Sequence, residues 1–131
     1  MIVTGQSEKV AKWLGEKLGT EFVPPYEAIG ILDKDGFKTG AALFNDHADR
    51  NIEITVYGHG AFQRDVCRWI ADYCFHRLDC LRITARTRVS NLYIRRLLQH
   101  HGWKQEGTLR CWYDDEDAAI YGLLREDCKF L

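Results

Sequence analysis

Signatures of metal and covalent-nucleophile chemistry are missing from this chain. It contains no H-x-x-x-H, no C-x-x-C and no G-x-S-x-G, so neither a paired-ligand zinc site nor a nucleophile elbow is written into it. Excess charge is missing too: the formal net charge is −1, which supplies no bulk attraction to nucleic acid or an anionic membrane. Apolar runs extend only a few residues, too short to span a bilayer. The two prolines are adjacent, Pro24-Pro25, which forces extended backbone there. No linker, repeat or low-complexity tract appears. The five cysteines are odd in number. With no signal-peptide pattern ahead of them, they are expected to be reduced, buried thiols in a cytoplasmic protein.

What remains is ordinary for a globular domain: 131 residues, 46% apolar and 28% charged. That length fits one domain, residues 1–131, with a real core. Ser7 can cap a helix whose apolar face is Val10, Trp13, Leu14 and Leu18, with Gly19 as its stop. Ala28–Leu32 and Phe37–Phe44 read as strands joined by an Asp35-Gly36 turn. After a polar loop over 45–51, Ile52–Tyr57 alternates cleanly, with Ile52, Ile54 and Val56 on one face. The three strands form an antiparallel meander.

Gly58-His59-Gly60-Ala61 follows, and then a helix with Phe62, Val66, Ile70, Tyr73 and Cys74 on one side. Cys80–Arg86 is a strand with Leu81, Ile83 and Ala85 facing one way, which makes a β-α-β unit with a parallel pair and right-handed crossover. Ser90 or Asn91 caps a helix with Ile94, Leu97, Leu98 and His101 on its apolar face, and Gly102 ends it. Strands over 104–113 and 118–125 close the chain around an acidic loop, Asp114–Asp117.

A strand feeding a glycine turn at a helix N-terminus presents free N–H groups to an anion. A tight strand-to-helix turn needs the same glycines. The second half carries a more specific pattern: Asn91 opening a helix, Gly102-Trp103, then Glu106-Gly107-Thr108-Leu109-Arg110, and a closing Tyr121-Gly122-Leu123. Over residues 27–125 the chain resembles the GNAT acetyltransferase superfamily, with the ribosomal-protein N-terminal acetyltransferases as the most similar branch.

The resemblance implies an α+β, three-layer α/β/α fold. Its central sheet would be mixed, mostly antiparallel, and splayed between the Ile52 and Leu81 strands to admit a coenzyme. It also implies acetyl (acyl) transfer from acetyl-CoA to an amine, on a protein N-terminus or a small molecule. Members include dimers, but no dimer surface can be read from this sequence. The coenzyme would be held by Gly58, His59, Gly60 and Ala61, by Asn91 and by Arg95, best placed of an arginine group that includes Arg82, Arg86, Arg88 and Arg96. An N–H near Val56 would face the developing oxyanion.

The sequence departs from the family where a thiolate acid is expected. A Tyr seven residues after the Asn, or a Ser three after it, corresponds to Leu98 and Ile94, and neither can donate a proton. Glu53 is the first candidate base, although a strand glutamate in this pattern is more often simply solvated. His59 can be base, phosphate donor or plain loop residue. His101 reads as a core histidine, Tyr57 and Tyr113 as half-buried strand-edge residues or an acceptor wall. Two function classes stay open: an N-acyltransferase, and a GNAT-like module that binds CoA, protein or nucleic acid without efficient turnover.

Overall fold

A computed structural model describes residues 1–131. The elements run β1 (Ile2–Val3), α1 (Ser7–Leu18), β2 (Tyr26–Leu32), β3 (Lys38–Ala48), β4 (Asn51–Tyr57), a 3-10 turn (His59–Phe62) and α2 (Arg64–Ala71), which continues as a π-helical turn over Asp72–Arg77. Then come β5 (Arg82–Arg88), α3 (Leu92–His100), β6 (Lys104–Leu109), β7 (Ala118–Leu124) and a last 3-10 turn, Arg125–Asp127. No helix is long and apolar enough to cross a membrane.

All seven strands join one sheet in the order β1-β2-β3-β4-β5-β7-β6. Only β4 and β5 pair in parallel; every other pair is antiparallel. Alternation along the strands sends side chains to two faces. On one face Ala28, Ala41 and Leu43 bury against Val10, Ala11 and Leu14 of α1. On the other, Ile29, Phe44, Ile52, Ile54 and Ile83 bury against Val66 and Ile70 of α2 and Ile94 and Leu98 of α3. This is the expected α/β/α, mostly antiparallel arrangement.

Several local expectations change. Ser7 does not cap α1: its hydroxyl donates to Glu27 at 2.7 Å and accepts from the Ala28 N–H at 3.1 Å, pinning the helix start to β2. Gly19 does end α1, at φ 70. β3 runs four residues past Phe44, because a bulge near Asp46 lets Ala48 still pair with Asn51. Leu81 precedes β5 and is exposed rather than core. Strand β6 stops at Leu109, and residues 110–117 form a turn. Asn91, not Ser90, caps α3, accepting from the Ile94 N–H at 3.3 Å, while Ser90 binds Glu116. Cys74 and Cys80 are buried, but Cys67 and Cys128 are half-buried and Cys111 is exposed.

Candidate functional site

Strands β4 and β5 stay paired only from Asn51↔Arg82 to Ile54↔Ala85. Both continue for three more residues, Thr55–Tyr57 and Arg86–Arg88, without pairing to each other. The outer edge of each is still held, by β3 and by β7. The sheet is therefore open along one internal seam. The Arg50 carbonyl accepts from the Leu81 and Arg82 amides, so backbone alternation turns the peptide groups of Ile52, Ile54 and Val56 to that same edge. Those of Ile52 and Ile54 fall within the paired stretch, whereas that of Val56 lies past the last pair.

Cavities meet at this seam from both sides. On the α1 side lies a cleft of about 460 Å³ lined by Glu53, Thr55, Arg86, Arg88, Tyr113 and Asp114. On the α2/α3 side is an apolar slot of about 40 Å³ bounded by Phe62, Cys67, His101 and Phe130. Ile54, Val56 and Leu98 border both.

The glycine turn is built differently from a phosphate nest. Gly58 sits at φ 81, and a Cβ there would lie 2.2 Å from the Thr39 carbonyl oxygen. A Cβ on Gly60 would meet the Thr39 hydroxyl at 2.4 Å and Ile31 at 3.0 Å. Both glycines exist so that the turn can lie on β3 and β2. Inside the turn, the Ala61 and Gln63 amides already donate to the Gly58 and Gly60 carbonyls at 3.3 Å. The next N–H groups along the chain, those of Arg64, Asp65 and Val66, form the first turn of α2 and precede its own i to i−4 bonds. Gln63, the N-cap, makes no side-chain cap.

The other candidates separate clearly. Glu53 is not a solvated strand residue: its side chain is 19% exposed, and Arg86 binds both its oxygens, at 2.8 and 2.7 Å. Burial pushes its pKa up, the Arg86 charge pulls it down, and the neighbouring Asp46 carboxyl pushes it up again, for a net rise above the usual carboxylate range. His59 is exposed at the turn and lines neither cavity. Asn91 reaches the large cleft, Ala61 the apolar slot.

Arg95 is a strut, not a free phosphate ligand: its guanidinium donates to the Tyr121 hydroxyl at 3.1 Å, the Val89 carbonyl at 2.7 Å and Gln105 at 3.3 Å. Arg82 forks to Glu106, and Arg88 pairs with Asp115 and Glu116. His101 is a packed residue, bonded to the Leu97 carbonyl at 2.7 Å, with its ring 5.3 Å from that of Phe62 and 6.2 Å from that of Phe130. Arg86, read from the sequence only as one of an arginine group, has a role that the spacing did not give: it grips a partner 33 positions away.

The Glu-Gly and Tyr-Gly-Leu motifs also acquire a physical reason. Glu106 is skipped by the β6–β7 register, and its carboxylate crosses to Arg82 of β5. It passes over Gly122 of the intervening β7, where a Cβ would be 2.5 Å from a Glu106 oxygen. These motifs hold three strands in order.

No protein-family profile matches the chain, and no curated protein sequence does. Solved structures do. A chimera of the Vibrio cholerae spermidine N-acetyltransferase SpeG and hSSAT superposes with a TM-score of 0.77 over 96% of both chains at 14% identity. A mutant form of the Vibrio cholerae spermidine/spermine N-acetyltransferase SpeG matches at 0.75, over 99% of this chain and 96% of that one, at 13% identity. A probable acetyltransferase matches at 0.67, over 88% and 68%, at 21% identity. The fold is that of the GNAT acetyltransferases.

Proposed function

We propose that this chain is an acyl-CoA-dependent N-acyltransferase acting on a primary amine. The observation that carries the reading is the open seam between β4 and β5, with a polar cleft on one side and an apolar slot on the other. The residues suit the coenzyme: an unpaired strand edge can bond an amide-rich pantetheine arm, and the first-turn N–H groups at the α2 N-terminus suit a diphosphate. The slot is apolar, and Phe62, His101 and Phe130 would have to move apart as the arm enters. When bound, acetyl-CoA would supply the thioester carbonyl that is transferred.

The chain's own residues then have distinct tasks. The Val56 N–H faces the charge that develops on the carbonyl oxygen, and Glu53 takes a proton from the ammonium group. Asn91 sets the start of α3 beside the seam. The cleft is lined by two acids, Glu53 and Asp114, and two arginines, Arg86 and Arg88. Balanced charge of this kind suits an amine with one positive charge, on a small molecule or a protein N-terminus, better than a polyamine. With Ile94 and Leu98 as apolar neighbours, no α3 side chain protonates the thiolate there. A thiol of pKa about 8.5 leaves adequately without one.

A second reading is favoured by that same absence and by the narrowness of the slot: a GNAT-like module that binds without turnover. Acetyl-CoA is expected to raise the melting temperature, and an amine panel to release free CoA, fastest with monoamines and slowest with spermidine. Binding without release from any amine selects a CoA-binding module; no binding rejects the transferase and leaves only a module for protein or nucleic acid. Gln63→Asp separates coenzyme contact from folding. An N-cap Asp would occupy the Asp65 or Val66 N–H and add about 1 kcal/mol of stability. Acetyl-CoA affinity should nevertheless fall at least tenfold. Unchanged affinity would place the diphosphate elsewhere.

A further inference from the structure

Glu53 is gripped from β5 and flanked by a bulge in β3. On β3, Asn45 pairs with Glu53 and Ala48 with Asn51, so Asp46 and His47 form a bulge beside the glutamate. Asp46 takes a left-handed φ of 50°, and bulges of this kind re-aim side chains. It follows Asn45, the register partner of Glu53, so a second carboxylate lies on the strand next to the glutamate. From β5, the Arg86 fork meets both Glu53 oxygens. The guanidinium carbon also lies over the Trp112 ring, 4.5 Å from its centroid. Arg86 is thereby held by a carboxylate and an indole.

Other charged or titratable groups around the cleft are Arg88 of β5 and Tyr113 and Asp114 of the turn between β6 and β7. Arg88 is paired with Asp115 and Glu116. His47 is exposed in the bulge. The end of α1 contributes Leu18, Gly19, Thr20 and Phe22, none of which titrates.

We propose that Arg86 is a positioning residue for Glu53, its fork fixing the direction of the carboxylate, with Asp46 in the adjoining bulge as the neighbouring charge. The proposal rests on the acyl-transfer reading. The ammonium gives one proton to Glu53, and the freed amine forms the N–C bond as the C–S bond breaks. Its second proton leaves with the thiolate as thiol, and Glu53 returns the first to water. A two-point grip on a carboxylate supplies orientation that a single charge cannot. Burial raises the Glu53 pKa, Arg86 opposes the rise and Asp46 reinforces it, so the two neighbours tune it in opposite senses.

The test is a carboxyl-carbon NMR titration of Glu53 in the full chain, assigned with Glu53→Gln, alongside the pH profile of kcat/KM. Asp46→Asn, which tolerates the left-handed backbone, should move the Glu53 midpoint and the acid limb down. Arg86→Gln should move both up. Arg86→Lys, kept in case the glutamine variant unfolds, should hold the midpoint near wild type while kcat stays at least tenfold low. Midpoints that move together, or not at all, overturn the positioning role. Opposite shifts with no transfer to any amine overturn the acyl-transfer reading and the base role with it. Transfer with unshifted midpoints overturns positioning alone.

Discussion

Glu53→Gln is expected to lower kcat by roughly 10²- to 10⁴-fold, the usual contribution of a positioned base, while acetyl-CoA binding measured by calorimetry stays unchanged. Glutamine keeps the size of the side chain and one acceptor oxygen for Arg86, so packing is preserved while basicity and one arm of the Arg86 fork are lost. The pH dependence follows from the sign of the shift. A base must be ionised to work, and burial has raised the pKa of Glu53. Wild-type activity should therefore rise with pH through a midpoint above the ordinary carboxylate range and fall away below it. That limb should vanish in Glu53→Gln. A loss of less than threefold, with the limb intact, would remove Glu53 as the base.

Gly58→Ala is expected to cost roughly 3 kcal/mol or more of folding stability, combining a glycine-only backbone conformation with overpacking. Gly58 sits at φ 81 and ψ 157, and its missing Cβ is replaced by the Thr39 carbonyl oxygen at 2.2 Å. The turn cannot retreat easily, because Gly40 opposite it is equally tight, with a Cβ there reaching 2.5 Å from the Tyr57 carbonyl oxygen. Gly36→Ala is the control. Its φ is also positive, at 85, but nothing lies within 4 Å of its Cβ, so it should lose only about 1 kcal/mol. Urea unfolding of the two variants measures the difference. Equal losses would show that left-handed strain alone, not close approach to β3, makes Gly58 obligatory. Gly60→Glu, in contrast, would drive a carboxylate between Thr39 and Ile31 and test folding rather than coenzyme binding.

The glycine turn shows how a local pattern fixes conformation while its surroundings decide what its amides face. Gly58-His59-Gly60 marks a strand-to-helix turn wherever it occurs. Whether its amides face outward or bond the turn's own carbonyls depends on how the turn lies on β3, 20 residues earlier in the chain. Arg95 is a similar case. One helical turn after Asn91 it seemed free for phosphate, yet the β7 tyrosine and the Val89 carbonyl claim its donors.

Local periodicity by itself determined the order of elements, the meander, the parallel crossover and the helix stops at Gly19 and Gly102. Alternation, helical spacing and glycine conformation act within a few residues, and so they can be seen in one chain read in order. Only the tertiary structure decided where β4 and β5 part company, that Arg86 grips Glu53, and that Glu106 reaches Arg82 across a bare Gly122. Each of those depends on the distance between residues 24 to 33 positions apart, set by sheet register and strand divergence, which no short-range preference encodes.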